Sequence, residues 1–264
     1  MDILIHTLSG TATATVIAGL HPCRPSQKTK IVLIGAFAGA LPDLDAVSLW
    51  SGFDRTIGNF LGLAHSGREI YFGKLWYSHH VFMHSLLCDF LFTLLAVFIG
   101  GWMYCKWIKR APDIWSGIRY LSVYFLTFFL AYFSHLMGDL PTPGGSWGGI
   151  NLWFPSEEFT GGWGYTWWWN NYDIFLLLSG CTLLNIVVMI SWGKWERQLK
   201  YLPAWIYMLT IGLICFQLYQ RPVNFNETGT GSKEKRSLEI QEEILGPELY
   251  HLMRRFDEAL PVYF

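Results

Sequence analysis

The sequence predicts an all-α, polytopic membrane fold of about six transmembrane helices, with an amphipathic helix at the C-terminus. Three observations predict it. Hydrophobic residues make up 52% of the 264 residues and charged residues only 15%, where an average soluble domain carries about 25% charged. The apolar residues gather into six runs of helical or near-helical length. Fourteen Trp and thirteen Tyr suit a protein with two membrane–water interfaces to populate.

Residues 3–20 form the first run, rich in Thr and small side chains. The starting sequence MDILIHTLSG has no basic n-region, so it is expected to stay attached as the first helix. The second run, 31–41 (IVLIGAFAGAL), carries Gly35 and Gly39 at GxxxG spacing. Small residues in both runs favour close helix packing inside a bundle. The second run is also short for a crossing of about 20 residues, so neighbours are expected to shield it. Four stronger runs follow at about 80–104, 120–138, 173–192 and 201–219. Long connections at 42–78 and 139–172 separate some of these runs. Residues 221–264 divide from the transmembrane part, 1–220, as a polar linker and a tail. In that tail Ile244, Leu245, Leu249, Leu252, Met253 and Phe256 fall at helical spacing, as in a docked or interfacial helix.

Charge sets the orientation. Arg24, Lys28 and Lys30, then Lys106, Lys109, Arg110 and Arg119, then Lys194, Arg197 and Lys200 mark three short basic loops. No Lys or Arg occurs from Tyr120 to Gly193. With six spans the three loops share one side, expected to be cytoplasmic, and both long connections face outward. A net charge of −1 argues against a general nucleic-acid binder, which would show a basic surplus. Cys23, Cys88, Cys105, Cys181 and Cys215 form no CxxC pair, so neither a disulfide framework nor a thiolate metal site is expected.

On this topology the ionisable residues of the apolar runs collect at one end. His6 opens the first helix, 42-PDLD-45 follows the second, 78-SHHVFMHSL-86 opens the third, and His135 and Asp139 close the fourth. Ionisable groups in a membrane interior are functional candidates, because burying them unpaired costs several kcal/mol. His135 and Asp139, at i and i+4, share a helix face about 6 Å apart along the axis. His80 and His84 have the same spacing. Asp43 and Asp45 would point the same way from an extended segment. Each group alone has a plainer explanation: a hydrogen-bonded bundle histidine, a cap, a turn after Pro42. Four helix ends converging by chance is harder to explain. The candidate metal ligands are therefore His6, Asp43, Asp45, His79, His80, His84, His135 and Asp139. Nitrogen and carboxylate oxygen without sulfur suit Zn²⁺, with Mn²⁺ or Fe²⁺ as alternatives. So many ligands exceed one tetrahedral site and suggest a binuclear centre that activates water.

Weaker candidates surround these. Thr142 could orient a ligand or close a turn. Arg55 and Arg68, with Lys74, are the basic residues of the 42–78 connection and could meet an anionic headgroup. Trp163, Trp167, Trp168 and Trp169 read as an interfacial belt, or as a wall for a lipid. His21, His65 and His251 read as ordinary loop and tail residues.

At His6 with Gly10, PDLD at 42–45, His79 to Ser85, HLMGDLPT at 135–142 and GGINLWFP at 148–155, the chain resembles a known family. It is similar to the YdjM-type predicted membrane-bound metal-dependent hydrolases, described as LexA-regulated inner-membrane proteins, over about residues 1–160. Alignment with that family carries the ligand role to His79 and His84, whereas helix spacing favours His80 and His84. The family is more distantly similar to zinc-dependent phospholipases C and single-strand-specific zinc nucleases. That likeness implies phosphoesterase chemistry on a membrane lipid or lipid-linked substrate, with one to three zinc-like ions and an extracytoplasmic site in the inner membrane. Asp43, Asp45 and His84 would take catalytic roles, Asp43 or Asp45 bridging metals or acting as base. Two alternatives stand beside this expectation. One is an intramembrane zinc amidase of ceramidase-like type, with Ser85 as its serine. The other is a metal-binding transporter or structural protein, which would need polar residues continuing across the spans.

Overall fold

The computed structural model describes residues 3–73, 75, 81–108, 113–143, 149–167, 171–191, 199–221 and 230–260, with only the backbone of Asp45 and of residues 230–234. Among the described residues the chain is helical, with two isolated β-bridges in the 139–172 connection.

Helices α1 (Ile3–Leu20) and α2 (Pro25–Ala40) form an antiparallel pair at the centre. Pro25 starts α2 at a position where its missing N–H has no intrahelical role. The two backbones touch. A Cβ on Gly10 would stand 2.3 Å from the Gly35 carbonyl oxygen, and one on Gly39 would stand 2.4 Å from the His6 carbonyl oxygen. Only glycine fits at such a crossing, so the GxxxG of α2 meets Gly10 of α1.

Helices α4 (Leu86–Met103), α5 (Ile114–Asp139), α6 (Tyr172–Ser191) and α7 (Leu202–Gln220) complete the bundle. Among the described residues, α1, α4 (continued through a π turn to Trp107), α5, α6 and α7 are long and apolar enough to cross a membrane. The sixth expected helix is α2. Its 16 residues reach about 24 Å, short of a hydrocarbon core of about 30 Å, and it is packed against α1 and α5.

Successive helices alternate in direction. His6 near the start of α1 meets Asp139 at the end of α5. Asp173 at the start of α6 meets Arg221 just past α7, with Gln217 on the same carboxylate oxygen. Deeper in the bundle Asn185 of α6 donates to Thr15 of α1 at 2.9 Å. The His6, Asp43, His84 and Asp139 positions therefore share one end of the bundle. Arg24, Lys30, Lys106, Arg119 and Lys200 flank the other ends of these helices.

Three expectations change. Residues 41–49 form a 3₁₀ helix rather than an extended segment. Pro42 has no N–H to continue the α2 ladder, so the chain tightens instead. Residues two apart on a 3₁₀ helix do not share a face, so the same-side argument for Asp43 and Asp45 fails. The third apolar run enters its long helix only at Leu86, because the Ser85 hydroxyl accepts the Cys88 N–H at 3.1 Å as an N-cap. His84 lies before the helix in a 3₁₀ turn, Phe82–His84, which removes the shared-face argument for His80 and His84. His79 and His80 themselves lie outside the described residues. The tail is two helices, α8 (Thr230–Leu245) and α9 (Pro247–Glu258), because Gly246 at φ 76° followed by Pro247 breaks it.

The tail docks on the start of α6. The Tyr172 N–H donates to Gln241 at 2.8 Å, its hydroxyl donates to Asp257 at 2.9 Å, and Tyr172, Tyr250 and Met253 form a buried cluster. In the 42–78 connection a short helix, α3 (Gly67–Phe72), starts with the Ser66–Glu69 capping box.

The glycine crossing gives a direct test. Gly39→Ala should lower stability by about 1–3 kcal/mol through forced separation of backbones. Gly180→Ala in α6, where a Cβ meets nothing within 4 Å, should be neutral or stabilising. Thermal unfolding in detergent compares them, and equal melting temperatures would refute the packing argument.

Candidate metal centre

Five side chains from four helix ends meet here: His6, Asp43, His84, His135 and Asp139. All are buried, Asp43 being the most accessible at 5%. Each is placed by a local feature. His6 lies one turn into α1, beside the glycine crossing. Asp43 occupies a kink in the 3₁₀ helix, at φ −92° and ψ 17°. His84 is held on its turn by Tyr132, whose hydroxyl donates to the Met83 carbonyl. His135 and Asp139 lie one turn apart on α5, as their spacing predicts.

The His135 ring has a fixed role. Its Nδ1–H donates to the Gly39 carbonyl at 2.7 Å, so the Nε2 lone pair points into the cluster. This is how metal-binding histidines are commonly oriented. Nε2 of His135 lies 3.2 Å from Nε2 of His84 and 3.2 Å from Oδ2 of Asp139. His84 Nε2 lies 3.2 Å from Oδ1 of Asp43 and 3.4 Å from Oδ2 of Asp139. His135 Nε2 lies 3.7 Å from Oδ1 of Asp43.

These distances test whether a metal fits. Ligand bonds of 2.0–2.2 Å at the corners of a tetrahedron leave neighbouring ligand atoms about 3.4 Å apart. Five of the six edges among His84, His135, Asp43 and Asp139 run from 3.2 to 3.7 Å. The spacing of these donor atoms therefore fits a tetrahedral cation site. Two overlapping triads, His6–His135–Asp139 and Asp43–His84–His135, each bring their ligand atoms within 4.8 Å. The donor set is imidazole and carboxylate, suited to Zn²⁺, Mn²⁺ or Fe²⁺ rather than to a sulfur-seeking ion. Burial opposes the charge on Asp43, but the facing His135, His84 and His6 rings hold its carboxyl well below the usual carboxylate range.

The remaining candidates lie elsewhere. Ser85 is occupied as a helix cap, its hydroxyl also donating to the Phe82 carbonyl at 2.7 Å. The buried Thr142 hydroxyl donates to the Asp139 carbonyl at 2.6 Å, so it closes the end of α5 and steadies the Asp139 backbone. Arg55 is exposed, and Arg68 is exposed over the Phe72 ring at 4.9 Å. His21, His65 and His251 are exposed. Of the Trp group, Trp163 is exposed and Trp167 is buried, while Trp168 and Trp169 lie outside the described residues, like the side chain of Asp45.

Sequence reasoning missed two contributors. The Gly39 carbonyl orients His135, although the GxxxG spacing marked only its packing. Tyr132 supports the His84 turn across 49 residues, and nothing in the sequence links the two.

Residues 1–222 match the YdjM inner membrane protein family, a span that includes α1 to α7 and leaves α8 and α9 outside. No curated protein and no solved structure matches the chain.

His135→Ala and Asp139→Ala should each strip bound metal from the purified protein, read by elemental analysis against the unchanged chain. Arg68→Ala should leave metal content unaltered. Full occupancy in either of the first two variants would show that the cluster does not hold the ion.

Proposed function

The chain belongs to the YdjM inner membrane protein family, and from that premise we propose that it is a membrane-embedded, metal-dependent hydrolase. Its substrate would be a phosphoester of a lipid or a lipid-linked molecule, cleaved at the outer face of the membrane. The observation that carries this is the meeting of three histidines and two aspartates from four helix ends in a buried cluster at one end of the bundle.

A bound divalent ion supplies a Lewis acid and a water that ionises near neutral pH. The chain supplies the rest. His135, fixed by Gly39, and His84, fixed through Met83 and Tyr132, offer preset nitrogen ligands. Asp43 and Asp139 supply the negative charge that holds a cation. Asp43, 3.2 Å from His84 and 3.7 Å from His135, is placed as a ligand, and Asp45 is the first residue to test as proton acceptor.

The surroundings favour a lipid. Leu44 and Val47, on the same 3₁₀ helix as Asp43, and Trp50 just past its end are exposed. Trp153 and Trp163 are exposed in the connection that follows Asp139. Apolar and aromatic surface at this level is where headgroups and the first methylenes lie. The amidase alternative is weakened, because Ser85 is committed to its cap.

Phosphatidyl substrates in mixed micelles should release headgroup in the presence of the protein. Chelation should stop release and Zn²⁺ restore it. His84→Ala should lower the rate by more than about 100-fold, beyond what outer-shell partners are worth. Undiminished hydrolysis by metal-free protein would end this proposal. For sidedness, Cys23 and Cys105 are partly exposed at the end away from the cluster. With the exposed Cys215 near the cluster end replaced by Ser, an impermeant thiol reagent should reach Cys23 and Cys105 only in opened cells, and labelling of intact cells would place the cluster on the cytoplasmic side.

A further inference from the structure

The two carboxylates divide their oxygens between two sides of the cluster. Asp139 turns Oδ2 to His84 and His135, at 3.4 and 3.2 Å, and Oδ1 to His6 at 2.9 Å. Asp43 turns Oδ1 to His84 and His135, at 3.2 and 3.7 Å, and Oδ2 to His6 at 3.8 Å. His6 therefore faces the second oxygen of both aspartates, whereas His84 and His135 face the first.

The rings carry the same message. His6 and His135 are stacked, with centroids 3.6 Å apart and planes inclined by 25°, and both Nε2 atoms face Asp139. An imidazole nitrogen binds a metal in the plane of its ring. Near-parallel rings send their lone pairs side by side. To meet at one ion about 2.0–2.1 Å from each nitrogen, each bond would have to leave its ring plane by roughly 45°. Two ions about as far apart as the rings need no such distortion. That spacing is the about 3.5–4 Å of two-metal hydrolytic sites.

We propose that the cluster holds two ions, with His6 the histidine of a second position. His84 and His135 hold the first ion with Oδ1 of Asp43 and Oδ2 of Asp139. His6 holds the second with the other oxygen of each aspartate, so both carboxylates bridge. This rests on the metal-dependent hydrolase proposal and deepens it. Two ions at this spacing would stabilise the attacking and leaving oxygens of an in-line displacement at phosphorus.

The positions are unequal. His135 is oriented by the Gly39 carbonyl, whereas Nδ1 of His6 has no hydrogen-bond partner among the described residues. An orienting partner is worth about 10–100-fold in metal affinity, so the His6 ion is the weaker by that factor.

The test uses the full chain in detergent, stripped with chelator and titrated with Zn²⁺ alone, with metal counted per chain. The unchanged protein should take up two ions in two steps separated by about 10–100-fold in affinity. His6→Ala should keep only the tight step. His6→Gln, which preserves a hydrogen bond to Asp139 and guards against a folding defect, should do the same with an unchanged melting temperature. Loading with Mn²⁺ should give a spin-coupled resonance in the unchanged protein and an isolated-ion signal in His6→Gln. A single ion in the unchanged protein, or two ions in folded His6→Gln, would overturn the proposal. A single ion with chelator-sensitive hydrolysis leaves the hydrolase proposal standing and removes only the second position, whereas no bound ion removes both.

Discussion

The backbone contact between α1 and α2 sets the rest of the structure. Gly10 lies against Gly35 and Gly39, and Gly39 lies against the His6 carbonyl. Residues with side chains would hold these helices at 8–10 Å and leave no such contact. Close approach brings two things into one place. The His6 ring reaches the aspartates, and the Gly39 carbonyl reaches Nδ1 of His135 on α5. One crossing therefore positions ligands on two helices and orients a third group between them. A methyl group at Gly39 would be felt at the cluster as well as in stability, because the same few ångströms serve both.

The second constraint is charge. Five ionisable side chains lie within an apolar bundle, and two of them are carboxylates. Burying carboxylates without compensation is strongly unfavourable. Histidines that share protons with them lessen that cost, but His135 has already given its Nδ1–H to Gly39. Its Nε2 faces another nitrogen and two carboxylates, a concentration of lone pairs that a cation resolves. One divalent ion would balance the two aspartates. Two would leave the cluster positive, which favours an anionic phosphoryl group over a neutral amide.

Much of the centre was legible in the sequence, and the reason is physical. Hydrocarbon excludes charge, so His and Asp at the ends of apolar runs stand out, and alternating helix direction brings them to one side. His6, Asp43, His84, His135 and Asp139 were all found this way. Local geometry was less legible. The break imposed by Pro42 turned an expected extended segment into a 3₁₀ helix, and the Ser85 cap delayed the helix after His84. Both signals were present in the residues, since Pro and Ser are boundary formers, but they compete with an apolar run that continues past them. The Gly246–Pro247 break was equally readable. The pairing of Tyr132 with the Met83 carbonyl was not, because long-range contacts leave no spacing to read.

Arg221 bears on which way the protein faces. It lies at the cluster end, on the side the basic loops leave free, and counted as a surface charge it would oppose the orientation they imply. Its side chain is buried against Asp173, with Gln217 on the same oxygen. The pair is neutral as a unit, and breaking it would leave a buried charge at a cost of about 3–5 kcal/mol. Arg221 thus closes α6 on α7 and supplies no free charge to the interface. The positive-inside rule counts Lys and Arg in short loops, and a residue neutralised in a buried pair adds little to that field. The exposed Arg24 and Lys30 beyond α1, with the basic residues after α4 and α6, stand opposite the exposed Arg55 and Arg68 of the cluster end. An outward cluster, beside the headgroups it is proposed to act on, is the orientation the basic loops would imply.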